Sequence, residues 1–585
     1  MNKPLKLLRK HLNDNDLDGF IIHRTDEHLG EEIAQYAERV KWLTKFSGSA
    51  GIVVVHKNKA AIFVDGRYTL QVKKQVNPNE FTTHHISYFN KWVQNNFSNN
   101  SNIGIDPWLF SKKSFDKMLK IKKNNNIIFR FLDKNPIDAI WQDQPSMPKS
   151  KVFLHELKYS GKSTYAKITA SKKILKERKC NIFFITALDS IAWILNIRGS
   201  DLNFSPLNMA YLSLAYKGKA NLYIDSRKLN NNIKKYLSKF VNFKNFNELE
   251  NDIFDLTSKI TVGVDANNTP YWFIYKLQKF QKRLKFIEDP CIRMKAVKNK
   301  IELNGARKAN SRDGISLIKF LYWIKNKKNI KDVNELSAAR KLLNLKKNNK
   351  LFYSLSFEAI SAFGANAALP HYRVDKNSNI NFYNNQIYLI DAGTQYLDGT
   401  TDITRSIIIG IPSREQVDRF TRVLKGHIAI ANLRFAKKTR GSKIDQLARK
   451  SLQEIGCDYE HGTGHGIGSF LNVHEGPQRI AKSIDKSDPY IESGMIISNE
   501  PGFYKKDAYG IRIENLIVAL IEKNKLLRFE TISMAPIDLD LVDAKLLDDI
   551  ERNWLNEYHK KVYYNSIKYL NNNEVKWLKY VTRPI

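Results

Sequence analysis

Residues 386–410 read QIYLIDAGTQYLDGTTDITRSIIIG. Two apolar runs, QIYLIDAG (386–393) and TDITRSIIIG (401–410), flank a turn carrying Asp398-Gly399. Asp-Gly between apolar segments is a hairpin signal, because glycine adopts the positive φ that a tight turn needs. The stretch therefore predicts two antiparallel strands, with Asp391 ending the first and Asp402 at the start of the second. Residues 385–405 hold three Asp and one Arg, net −2, in a chain whose balance is 95 − 59 = +36. A local negative field in a basic protein suits a cation site.

Three more candidate ligands follow. His465 sits in HGTGHGIG (461–468), Glu500 in NEPGFY (499–504) and Glu514 in GIRIEN (510–515). Carboxylates plus one imidazole suit a divalent cation of the manganese, iron, cobalt or zinc group. Four carboxylates exceed what one closed structural zinc takes, and suit two metals sharing bridging carboxylates. Each residue also has an ordinary reading. An Asp after an apolar strand is a turn or cap residue, and a Glu in an alternating strand faces solvent. Arg512 and Glu514, two apart, project from one strand face and could be a simple surface ion pair. His461 and His465 are four apart, but glycines interrupt the segment and no Glu follows the first His. A zinc-binding helix is therefore excluded.

Upstream, VVVHKNKAAIFVDGR (53–67) and SLAYKGKANLYIDSR (213–227) share two Lys, an Ala, an Asp and an Arg at a constant offset of 160. Each reads as strand, tight turn and strand, preceded by an apolar strand at GFIIHR (19–24) or NIFFIT (181–186). This predicts two similar α/β domains in tandem, with chance likeness of two short hairpins as the alternative. With 585 residues, the chain has room for at least three domains. Breaks near 140–155 and 285–300 separate them. From about 350 the texture changes to apolar strands and Gly-rich turns, which predicts a curved antiparallel sheet within 300–520. A helical pattern at 542–570 offers Trp554 and Leu555 as apolar anchors.

The basic residues are scattered, with no stripe interleaved with aromatics, so no nucleic-acid partner is expected. Cys180, Cys291 and Cys457 lie more than a hundred residues apart and form no CxxC pair. That usage suits a reducing compartment. There is no run of 18 apolar residues and no signal-like apolar segment in the first twenty. No membrane span and a cytoplasmic location are expected.

Taken together, SFEAISAFGANAALPHY (356–372), LIDAGTQYLDGTTDITR, HGTGHGIGSFLNVHEGP (461–477), GMIISNEPGFY and GIRIEN resemble the pita-bread metallopeptidases. Within these the chain resembles the Xaa-Pro aminopeptidases in their long, three-domain form. FSGSAG (46–51) with VDGRY (64–68) is similar to the family's N-terminal domain, and 529–562 to its C-terminal extension. The implied fold is α/β (α+β): two tandem creatinase-like N-terminal domains, 1–145 and 150–292, then a pita-bread catalytic domain, 293–522, and an extension, 523–585. Ala392 and Asn499 are small departures beside the ligands.

The resemblance also implies roles. Asp391 would hold one metal and lie near the substrate's free amine. Asp402 and Glu514 would bridge two divalent metal ions, with manganese implied, and His465 and Glu500 would complete the second. Glu500 would double as general base. His474 would donate to the tetrahedral oxyanion. His371 and His461 would line the substrate cleft, and Arg512 would orient Glu514 or the substrate. The implied partners are peptides with proline at the second position and a second copy of the chain in a homodimer. The alternatives are a prolidase acting on dipeptides and a non-catalytic protein-binding module, which would need no five-ligand array. Creatinase lacks the metal ligands, and methionine aminopeptidase lacks two such N-terminal domains.

Overall fold

The structure is a computed structural model describing residues 3–482 and 488–585, without the side chains of 121–125. The chain divides into two compact units, Met1–His155 with Lys162–Ile292, and Glu156–Gly161 with Arg293–Ile585.

The first unit contains two six-stranded sheets. One comprises β1 (Gly19–His23), β2 (Ile52–His56), β3 (Ala60–Val64), β4 (Thr82–His85), β5 (Asn102–Ile105) and β6 (Ile128–Phe131). The other comprises β7 (Ile182–Ile185), β8 (Tyr211–Ala215), β9 (Ala220–Tyr223), β10 (Val241–Lys244), β11 (Thr261–Val264) and β12 (Arg283–Phe286). The strand orders are β4-β3-β2-β1-β5-β6 and β10-β9-β8-β7-β11-β12, so the second sheet repeats the first. The repeat at offset 160 is thus a repeat of architecture. Phe20, Ile21, Ile22, Val53, Val54 and Val55 are fully buried, which is why these strands read as continuous apolar runs rather than alternating ones. Even the turn ending each hairpin recurs. Asp65 accepts from the Arg67 backbone N–H at 3.0 Å and pairs with its guanidinium at 2.8 Å; Asp225 and Arg227 do the same at 2.9 and 2.5 Å.

In the second unit the hairpin of 386–410 forms as expected. Strand Gln386–Asp391 pairs antiparallel with Ile360–Phe363 on one side and Thr404–Ile409 on the other, placing Asp391 opposite Thr404. Its tip is the short ladder of Thr394–Tyr396 with Gly399–Thr400. Behind it, Ile387, Tyr388, Leu389 and Ile390 are all buried. Burying such side chains contributes about 1.5–3 kcal/mol each, which anchors the strand carrying Asp391. A four-stranded antiparallel sheet runs Arg434–Phe435, Leu527–Thr531, Asn515–Ile521, Ile496–Asn499. The pairing is antiparallel, as expected, but it is spread over several short ladders rather than one sheet. Strands Tyr509–Arg512 and Asn515–Ile521 are separate elements, so Ile513 and Glu514 form a break, not a continuing alternation. The helix Asp549–Ser566 buries Leu555, Tyr558 and Val562 against Ile408, Phe420 and Val423. Leu555 is fully buried and Trp554 packs at its edge.

Candidate metal centre

Every predicted ligand lies at a strand end. Asp391 closes Gln386–Asp391, and Asp402 precedes Thr404–Ile409. His465 closes Gly464–His465, Glu500 follows Ile496–Asn499, and Glu514 precedes Asn515–Ile521. Strand ends converge because the strands are paired, while their terminal side chains remain free to turn inward. The glycines around His465 serve close approach. A Cβ on Gly464 would lie 2.0 Å from the Ser498 carbonyl oxygen, and one on Gly466 would lie 2.0 Å from that of Glu475.

Asp402, His465 and Glu514 each present a ligand atom within 4.8 Å of the others. His465 Nε2 lies 3.5 Å from Asp402 Oδ2 and 3.4 Å from Glu500 Oε1. The other ring nitrogen, Nδ1, is 3.0 Å from the Gly466 carbonyl. A proton on Nδ1 donated to that carbonyl leaves Nε2 with its lone pair aimed at the carboxylates, as metal-binding histidines require. Ser498 Oγ donates to Glu500 Oε1 at 3.0 Å and accepts from the His465 backbone at 2.9 Å, coupling the two.

Asp391 Oδ1, Asp402 Oδ1 and Glu514 Oε1 are buried and have no hydrogen-bond partner among the described residues. Asp391, Asp402 and Glu514 are 7, 4 and 1% exposed. Leaving buried carboxylate oxygens unsatisfied is costly, and cations would satisfy all three. The electrostatics agree. Burial, with Asp402 beside it, pushes the Asp391 carboxyl up to about 7 despite the pull of Arg512. Burial and the Asp402, Glu500 and Asp391 charges push Glu514 well above the carboxylate range. Burial works against the Glu500 anion too, but His465 and His461 outweigh it and hold this carboxyl below its ordinary value. The residues fit a pair of divalent cations.

For Arg512 the surface ion-pair reading fails. Its Nη2 donates to Asp391 Oδ2 at 2.7 Å, not to Glu514, and it is 3% exposed, so it forms no surface pair. Glu514 is reached one step away: Thr404 Oγ1 accepts from Arg512 Nε at 3.2 Å and donates to Glu514 Oε2 at 2.8 Å. Arg512 Nη1 also donates to Tyr504 Oη at 2.8 Å and to the Pro370 carbonyl at 3.2 Å, which brings the half-buried His371 to this side. His461 Nε2 is 2.8 Å from Tyr504 Oη, and burial pulls its pKa down to about 4, so it is neutral near pH 7. His474 is exposed, its ring 4.2 Å from that of His465 and edge-on to it. Thr404, Ser498 and Tyr504 escape a reading of motifs, although all three lie within or beside the quoted strings.

Residues 304–519 match metallopeptidase family M24, residues 4–128 and 143–302 each match a creatinase/prolidase N-terminal domain, and 525–585 match the C-terminal region of peptidase M24. A solved X-prolyl aminopeptidase from Caenorhabditis elegans, described as a cytosolic enzyme with a di-nuclear active site, superposes with a TM-score of 0.94. It is 32% identical, with all of both chains covered. The prolidase from Pyrococcus furiosus, 24% identical with a TM-score of 0.50, covers 62% of this chain and 99% of its own, and shares the fold alone. A protein of Paracoccidioides lutzii named a probable Xaa-Pro aminopeptidase P is 36% identical over 613 residues, covering 100% of this chain and 99% of its own. With that likeness running through both repeated sheets, the metal centre and the C-terminal helices alike, the chain belongs to the Xaa-Pro aminopeptidase P family of M24 metallopeptidases.

Proposed function

We propose that the chain removes the N-terminal residue from peptides whose second residue is proline, with two divalent cations held by Asp391, Asp402, His465, Glu500 and Glu514. One observation carries this reading: three buried carboxylate oxygens, on Asp391, Asp402 and Glu514, lack partners among the described residues. We assign manganese, which suits an oxygen-rich set with one imidazole. When bound, the cations would lower the pKa of the attacking water and stabilise negative charge on the scissile carbonyl.

The protein's own groups do the rest. Glu500, held below its ordinary value by His465 and His461 against the effect of burial, is ionised at neutral pH and takes the proton of the attacking water. A positioned base of this kind contributes about 10²–10⁴-fold. His474, exposed beside His465, donates to the tetrahedral oxyanion. His461, neutral near pH 7, and His371 contact the peptide backbone. Arg512 holds Asp391 where its carboxylate can meet the free amine of the substrate. Proline demands a dedicated enzyme because its nitrogen carries no N–H for a general peptidase to grip.

We assign segments 1–145 and 150–292 as creatinase-like domains, 293–522 as the catalytic domain and 523–585 as the extension. A homodimer in the cytoplasm completes the proposal; no helix among the described residues is long and apolar enough to cross a membrane. The test is hydrolysis of a short X-Pro-Y peptide and of an X-Pro dipeptide, each with chelator and with Mn²⁺. Cleavage of the tripeptide that chelator abolishes and Mn²⁺ restores supports the reading. Cleavage of the dipeptide alone makes the protein a prolidase, and no cleavage of either makes it a binding module.

A further inference from the structure

The residues next to the proposed ligands are tied together by a buried polar network. Arg405, 1% exposed, donates through Nη1 to the carbonyls of Thr404 at 2.8 Å and Glu514 at 2.7 Å. Its Nε donates to the Pro536 carbonyl at 3.0 Å. Its Nη2 donates to Asn515 Oδ1 at 2.8 Å and to Tyr558 Oη at 2.7 Å. Asn515 Nδ2 in turn lies 3.1 Å from His427 Nε2, whose ring also meets the Asn499 carbonyl at 3.1 Å. Asn499 Nδ2 donates back to the His427 carbonyl at 2.9 Å. Asn499 precedes Glu500, Asn515 follows Glu514, and Thr404 lies two residues after Asp402. Three ligand-bearing strand ends therefore share one buried polar network.

The far end of that network lies in the C-terminal helix Asp549–Ser566. Tyr558 is 3% exposed, and its hydroxyl accepts from Arg405 while donating to the Ala535 carbonyl at 2.8 Å. Trp554 stacks on the Tyr558 ring at 5.2 Å and packs edge-on against His427 at 5.8 Å. A guanidinium has five N–H groups in one plane, so Arg405 sets the angles between the strands it bridges. Arg405 Nη2 also donates to the Ala535 carbonyl at 2.8 Å, so six acceptors surround its five N–H groups, and losing the Tyr558 hydroxyl removes the tie between Arg405 and the helix without stranding a donor.

We infer that Tyr558 and Trp554 are positioning residues for the metal centre: the C-terminal helix, through Arg405, Asn515 and His427, holds the backbones of Asp402, Glu500 and Glu514 at metal-binding separation. The inference rests on the assignment of those three as metal ligands. Outer groups that orient ligands typically change metal affinity by about 10–100-fold when removed.

The experiment is calorimetric titration of Mn²⁺ into the metal-stripped full-length protein. Tyr558→Phe keeps the ring and removes the hydroxyl, and Trp554→Leu removes the stacking. Val562→Ala, on the same helix and fully buried but outside the network, is the control for loss of packing alone. Glu514→Gln tests the ligand assignment in the same assay. The expected result is about 10-fold weaker Mn²⁺ binding in Tyr558→Phe and Trp554→Leu, wild-type affinity in Val562→Ala, and lost metal in Glu514→Gln. Wild-type affinity in both network variants, or equal weakening in Val562→Ala, overturns the role of the helix while leaving the ligand set intact. Two metals retained in Glu514→Gln overturn the ligand assignment and the inference with it.

Discussion

Arg512 Nη2 lies 2.7 Å from Asp391 Oδ2, while Oδ1 of the same carboxylate is buried without a partner among the described residues. One oxygen is held by the protein, and the other is the one that would meet a cation under the proposed ligand assignment. The two residues are 121 positions apart, and each ends a strand in a different ladder.

Replacing Arg512 by Met is expected to weaken Mn²⁺ binding by about 10–100-fold near pH 7. With Arg512 present, burial already lifts the Asp391 carboxyl to about 7. Without it the carboxyl rises further, and a proton competes with the metal. Calorimetric titration of the metal-stripped variant measures this, and an unchanged affinity contradicts it.

His474→Ala is expected to keep both metals and lose about 10²–10³ in kcat, the effect of removing one oxyanion donor. Metal analysis beside kcat separates the possibilities. Lost metal makes His474 a ligand. Retained metal with normal kcat makes it structural.

The five candidate ligands were legible because each sits in a short string whose order resembles a family, and the repeat at offset 160 was legible because matched hairpins leave matched residues. What holds the ligands was not legible. Arg512 faces Asp391 rather than Glu514 because the chain breaks between 512 and 515, and local alternation says nothing about such a break. Tyr558 reaches Arg405 across 153 residues, and Lys298 reaches Glu475 across 177. Those contacts come from tertiary packing, which leaves no period in the sequence.

Glu475, next to His474, is fully enclosed with Lys298 at 2.5 Å and Lys295 at 3.1 Å. Two ammonium groups share one carboxylate. Glu475→Gln strands both and is expected to destabilise by about 3–5 kcal/mol, as uncompensated buried charge does. Lys298→Met leaves a balanced pair and is expected to destabilise less. Urea denaturation of both variants checks the order, and the reverse order contradicts it.

Burial pulls the His427 pKa down to about 3, against an ordinary value near 6.5. Between those values the unfolded chain binds a proton that the native protein refuses. This contribution to stability therefore falls as pH drops below about 6.5. His427→Gln is expected to reduce the proton uptake on unfolding by about one between pH 6 and 4. Denaturation midpoints across that range measure it, and an unchanged slope contradicts it.

The most direct test is the count of Mn²⁺ ions taken up per chain by metal-stripped protein, followed alongside hydrolysis of an X-Pro-Y peptide. Two ions per chain are expected, with activity absent before the titration and restored by it. Full peptidase activity in the metal-stripped protein, or fewer than two ions bound at saturation, would contradict the dinuclear centre built from Asp391, Asp402, His465, Glu500 and Glu514.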